Sequence, residues 1–387
     1  MRSRRGLVTL AVIAVLALVA PGPAIADPPS GMTPAATDIV GVGAGPTADL
    51  FDQFSHDYDG QNPNGPQLYS WDAVNPATGQ SGDAIVTKAG CPAITRPGDT
   101  DAGVAALHQN VTDPASPGAY CLDYSRSYRA RNSTDPPLAP GGVAFVDLAS
   151  DAVTYATRDA ASGGTNAPGN LTAQQLTAIY ECQVTNWDQV GGANAPIHAS
   201  LPQTGSDVRS FFLTALGGGT TPITPGSCVG DDGNTLREDQ GVSPVLDDPD
   251  AIVPYSVAAY LAQVYHSAAC LTASCTGTPA CRPAGSQNLF GCDQHGVLGL
   301  GEIGGTPPTQ PWPLPSPPCS QCQLNPGFSA QFQHFVYTVV RYDPSTADHI
   351  PAELEPLFGS SGWMCTNPSA GTDLRDYGFS RDCGTPH

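Results

Sequence analysis

Short, wholly apolar runs alternate along this chain with amphipathic stretches, and small or polar loops join them. Residues 38–45 (DIVGVGAG) read as a buried strand that ends in glycines, and Leu50, Phe51 and Phe54 then fall on one helical face. Residues 96–103 (RPGDTDAG) lead into the apolar VAAL, which predicts a helix with Thr100 or Asp101 as its N-cap by residue type. Gly141 to Val146 (GGVAFV) predicts a second buried strand, and Leu171 to Glu181 (LTAQQLTAIYE) an amphipathic helix followed by a Trp187-Asp188 turn. The loop Gln203-Thr204-Gly205-Ser206-Asp207 opens directly onto Val208-Arg209-Ser210-Phe211-Phe212, again a polar start to an apolar helix. Ile252 to Ser256 followed by VAAYLAQVYH repeats the strand-to-helix change, and Phe328 to Val340 and Pro351 to Gly362 both predict amphipathic helices. Repeated strand, glycine-containing turn and helix predict an α/β protein.

Three of these units share a chemistry. Around Gly45 and Thr47, around Thr100 and Asp101, and around Gly205 and Ser206, small or hydroxyl residues stand where a helix begins. Free backbone N–H groups and the positive end of the helix dipole favour an oxyanion at such a place. Local hydroxyl and cationic groups, Ser127 with Arg126 and Arg209, add donors.

The order of elements from Leu171 to Leu216 resembles the second lobe of the phosphate-binding receptors of ABC importers, members of the type 2 periplasmic-binding-protein superfamily. The GAG of Gly43 to Gly45 with Thr47 resembles that family's first binding loop. Arg96 to Leu107 is similar to the RPNGSSAGIAAL of exported actinobacterial-type members, with Thr100 and Asp101 in place of the serines. Leu122 to Arg129 resembles the family's DFARSSR or DFGASDA segment, with Tyr128 where the best-known receptors carry an Asp. The resemblance implies a two-lobed α/β fold with an interlobe cleft, a small anion or other small solute as ligand, and an ABC importer membrane complex as partner. It places Gly45, Thr47, Thr100, Asp101, Arg126, Ser127, Gly205, Ser206, Asp207 and Arg209 at the ligand. The family's GSGT loop reads Gly205-Ser206-Asp207-Val208 here: an Asp replaces the second Gly and an apolar Val the Thr donor. A carboxylate at contact distance from a dianion repels it by roughly 1 to 4 kcal/mol at effective dielectrics of 80 to 20. Either a weakened phosphate site or a cleft retuned to another ligand follows.

Residues 37–135 with 258–387 are expected to form lobe 1, carrying a Cys- and Pro-rich insertion at 268–325, and residues 136–257 to form lobe 2. The first 26 residues have the parts of a secretory signal: Arg2, Arg4 and Arg5, an apolar run, then Ala24-Ile25-Ala26. Cleavage after Ala26 is expected, and with Cys91 the first cysteine, no lipid anchor at that junction. Export makes disulfides the first reading of the twelve cysteines, with Cys91–Cys121, Cys182–Cys228 and Cys365–Cys383 as local pairs. The crowded Cys270, Cys275, Cys281, Cys292, Cys319 and Cys322 match no standard zinc spacing. In Asp57-Tyr58-Asp59-Gly60 the carboxylates have calcium-loop spacing without the downstream Glu, so no metal is expected.

A net charge of −20 and a single lysine, Lys88, argue against nucleic acid, which is held by neutralising its phosphates. The chain lacks a G-x-S-x-G elbow, H-E-x-x-H and a P-loop. The expectation is therefore an exported monomeric solute-binding protein, without cofactor or catalysis, that takes phosphate or a related small oxyanion. The alternative is an exported interaction or adhesion protein that keeps the fold and has lost phosphate binding.

Overall fold

In the structure, a computed structural model, residues 27–28, 32–75, 81–109, 112, 119–265, 268–269, 292–311 and 322–383 are described. The secretory leader, most of the Cys- and Pro-rich insertion, and Cys270, Cys275, Cys281 and Cys319 lie outside them. Nine strands form one mixed sheet: β1 (Ile39–Gly43), β2 (Leu68–Ser70), β3 (Tyr124–Ser127), β4 (Val143–Arg158), β5 (His198–Ala199), β6 (Ala251–Ser256), β7 (Leu298–Leu300), β8 (Gln333–Arg341) and β9 (Ser380–Arg381). The spatial order is β2-β1-β3-β8-β4-β6-β5, with β7 and β9 also paired to β4.

Parallel pairing of β1 with β2 and β3 explains its sequence. All five residues of IVGVG are buried, as a strand covered on both faces requires. Strand β4 is the long element of the molecule. Val143 to Ala152 pair antiparallel with β8, and Val153 to Ala156 pair antiparallel with β6, so one strand serves both ends of the sheet. Asp151, at the changeover, accepts hydrogen bonds from Tyr128 Oη at 2.5 Å, Ser256 Oγ at 2.6 Å and the Ala258 amide at 2.9 Å. That buried carboxylate ties β3, β4 and the start of α5 (Val257–Tyr265) together.

The helices that frame the cleft are α1 (Ala48–Gln61), α2 (Thr100–His108), α3 (Ala173–Tyr180) and α4 (Asp207–Leu216). Leu50, Phe51 and Phe54 of α1 are buried in the main core with Tyr124 and Phe358. In α4, Val208, Phe212 and Leu216 are buried in the same core, and Phe212 packs edge-on against Tyr180 of α3. Thr172 and Gln175 form a capping box at the start of α3.

Several expectations need correction. Phe328 to Val340 is not a helix: a short 3-10 turn, Ala330–Phe332, leads into β8. Its apolar residues are spaced as on a helix, but Val336, Thr338, Val339 and Val340 are β-branched, and β3 and β4 on either side take up the backbone hydrogen bonds. Between Pro351 and Gly362 the helix shrinks to the four residues Glu355–Phe358. The Pro-, Gly- and Asn-rich stretch after α1 contains β2. Asp57 and Asp59 lie inside α1, where Asp59 accepts from the Leu68 amide at 2.7 Å, so the calcium-like spacing is not a loop at all. Asp99, and not Thr100 or Asp101, caps α2 by accepting from the Ala102 amide. The three local cysteine pairs, Cys91–Cys121, Cys182–Cys228 and Cys365–Cys383, are bonded as expected. Among the described residues no helix is long and apolar enough to cross a membrane.

Candidate ligand-binding cleft

A cavity of about 80 Å³ opens between the loop after β1 and the start of α4, with room for several waters or a small solute. It is lined by Gly45, Asp49, Asp72 and Gly98 from the first part of the chain and by Gln203, Ser206, Val208, Arg237, Glu238 and Asp239 from the loop before α4, its first turn and the segment after it. Of the three helix starts singled out in the sequence, those of α2 and α4 meet here. Each already holds a carboxylate of the protein itself.

At the α4 terminus, Ser206 Oγ donates to Glu238 Oε2 at 2.5 Å and the Val208 amide donates to the same oxygen at 3.1 Å. The other oxygen, Oε1, lies over Gly45, where an added Cβ would come within 2.6 Å of it. Glu238 thus fills the oxyanion position at α4. Burial pushes its carboxyl up to about 7, against the hydrogen bonds from Ser206 and Val208 that favour the charged form. At the α2 terminus the Thr100 amide donates to the two oxygens of Asp207 at 3.2 and 3.3 Å. Burial and then the nearby Glu238 push the Asp207 carboxyl well above its ordinary range. A carboxylate from the start of one helix therefore sits on the start of the other, and bridges the cleft.

The family model for the PBP superfamily domain matches residues 29–266, well over half of the chain. The chain belongs to the PBP superfamily. An ABC-type phosphate transport receptor from Vibrio cholerae is similar in structure, with 14% identity, 89% of this chain and 99% of that chain covered, and a TM-score of 0.50. A putative phosphate ABC transporter substrate-binding protein with bound phosphate from Clostridium perfringens shares 12% identity over 89% of this chain and 99% of that chain, with a TM-score of 0.49. At such identities the likeness is one of fold. No curated protein matches the chain. The architecture is the two-lobed α/β fold of the superfamily, with its cleft between the lobes.

Within this PBP-superfamily cleft, Gly45 and Ser206 line the cavity, and Asp207 and Thr100 meet at its edge. Thr47 is buried, its hydroxyl on the Ala44 carbonyl at 3.3 Å. Ser127 is buried and donates to the Arg129 carbonyl. Asp101 is exposed and pairs with Arg129. Gly205, at φ +92°, shapes the turn before Ser206. Arg209 donates to the Pro202 carbonyl at 2.8 Å, one helical start away from the cavity wall. Arg126 lies fully buried behind the first loop, where it donates to the carbonyls of Gly43, Ala44 and Trp71 and to Ser70 Oγ. Those bonds place it as a brace for the loop.

Sequence reasoning missed most of the wall. Asp49, Asp72, Gln203, Arg237, Glu238 and Asp239 went unassigned, although Glu238-Asp239 stands out as an acidic pair. The available signal was the position of Asp49, two residues after Thr47 on the first turn of α1. Among the described residues one possible metal cluster exists, His198 with Asp248 and Asp250, away from the cavity wall and with Asp250 already accepting from Asn166.

Proposed function

We propose that this chain is an exported solute-binding protein that holds phosphate or a related small oxyanion in the interlobe cleft. One observation carries the reading: the α4 terminus, with Ser206 Oγ and the Val208 amide, already holds an oxyanion in the form of the Glu238 carboxylate. A seat that binds one oxyanion has the donors for another once Glu238 leaves it, a step that protonation of Glu238 eases. The printed names of the structural neighbours, phosphate receptors of ABC transporters, support the same ligand class and an importer complex as partner. Export as a monomer, cleaved after Ala26 and without a lipid anchor, and lobes formed by residues 37–135 with 258–387 and by 136–257, belong to this proposal. Capture and not catalysis is the proposed role.

Titration of the mature protein with phosphate, sulfate and small sugars by calorimetry at pH 6 tests it. Phosphate or sulfate should bind; sugars should not. A folded protein that binds neither anion would leave the second reading, an exported interaction or adhesion protein. The observation that favours that reading is that both helix termini are filled from within.

A further inference from the structure

The cavity wall carries more charge than an oxyanion seat needs, and of the wrong sign. Asp49, Asp72, Glu238 and Asp239 line it against one guanidinium, Arg237. Arg237 lies 3.3 Å from Asp239 and its charge is shared with Asp49 and Glu238, so one guanidinium on the lining faces four carboxyls. Asp72 is 9% exposed, and its Oδ1 has no hydrogen-bond partner among the described residues. Nη1 of Arg237, which also lines the cavity, is buried without a partner among the described residues as well. Buried polar atoms are nearly always paired, so an unpaired acceptor and an unpaired donor on two residues that line one cavity call for a ligand that supplies both complements. The carboxyls also feel one another. Burial, then Asp239, push Asp49 up to about 6, and burial, then Asp27 and Asp49, push Asp72 well up.

We infer that the solute of this cleft is a small zwitterion, an oxyanion that carries an ammonium group, with the ammonium between Asp49 and Asp72 and the oxyanion end on Arg237. The inference rests on the cleft being the solute site, as proposed above. Free phosphate would satisfy Arg237 and add negative charge beside Asp49 and Asp72. A plain amine would satisfy the carboxyls and leave the Arg237 donor unpaired. A molecule with both groups answers both Arg237 and the carboxyls, and the ammonium offsets the repulsion that adds to burial in raising them.

Calorimetry at pH 7.5 with phosphate, ethanolamine and O-phosphoethanolamine separates the possibilities. O-phosphoethanolamine should bind at least about tenfold more tightly than either of the others, equivalent to 1.4 kcal/mol. In Asp72→Asn that advantage over phosphate should vanish, because O-phosphoethanolamine loses a partner for its ammonium while phosphate loses a repelling charge, and the thermal midpoint should be little changed. Asp49→Asn provides the same comparison if Asp72→Asn does not fold. Phosphate binding as tightly as O-phosphoethanolamine overturns the inference and leaves the oxyanion reading standing. Ethanolamine binding as tightly as O-phosphoethanolamine overturns it in favour of a plain cation, and an advantage that survives both substitutions overturns it by placing the ammonium elsewhere. Failure of all three probes to bind removes the oxyanion reading and the inference together.

Discussion

Two sets of buried charges lie within one lobe's reach of each other, and they are treated in opposite ways. Behind β1, three cations are answered: Arg126 by three carbonyls and Ser70, Arg96 by Asp27 and Asp83, Lys88 by Asp123 at 2.6 Å. On the cleft wall, Asp72 and Arg237 each keep a buried polar atom unpaired, and carboxyls crowd together. The first set holds backbone in place. The second is arranged at a cost to the fold, which is the mark of groups kept for a ligand. Charge alone therefore does not locate the site; the difference lies in whether the charge is satisfied.

Substitution of the rear set should produce the largest effect. Arg126→Ala leaves the Gly43, Ala44 and Trp71 carbonyls buried without their donor, and about 3 kcal/mol or more of stability should be lost in urea denaturation. Glu238→Gln and Asp72→Asn on the wall should each change stability by less than about 1 kcal/mol. A loss below that figure for Arg126→Ala would erase the distinction between the two regions.

The second effect is on binding. Asp207→Gly with Val208→Thr restores the GSGT pattern, removes the carboxylate that bridges to Thr100, and adds a hydroxyl donor. Phosphate affinity should rise at least about tenfold, or 1.4 kcal/mol. An unchanged affinity in a folded, phosphate-binding protein would mean that Asp207 lies outside the binding equilibrium.

The smallest effect is a pH dependence of stability. Burial holds Glu238 at about 7 in the folded chain, above the ordinary 4.5 of a glutamate, so the folded state holds its proton more tightly than the unfolded state. This contribution to stability is lost progressively as pH rises from about 4.5 to about 7, and the thermal midpoint should fall over that window. Glu238→Gln should flatten the fall. An equally steep fall in the variant would assign the dependence to Asp49 and its neighbours instead.

What the sequence made legible follows from range. The helix starts at Thr100 and Ser206, the strand at Ile39 and the three cysteine pairs are set by residues close along the chain, and pattern reading finds them. Arg126 and Arg209 carry the right charge for an oxyanion, yet their hydrogen bonds go to backbone carbonyls that only the folded chain brings near, in the case of Ala44 from 82 residues away. Glu238 reaches Ser206 from an irregular segment, and no periodicity announces that contact. Strand β8 was hidden for a related reason: its apolar spacing suits a helix, and its two strand partners are more than 180 residues distant in sequence.

Calorimetric titration of phosphate into the parent and into Glu238→Gln, side by side at pH 7.5, bears most directly on the claim that Glu238 occupies a working oxyanion seat. Removing its charge while keeping its shape should tighten phosphate binding at least about tenfold. Equal affinities, or no binding by either folded protein, would contradict it.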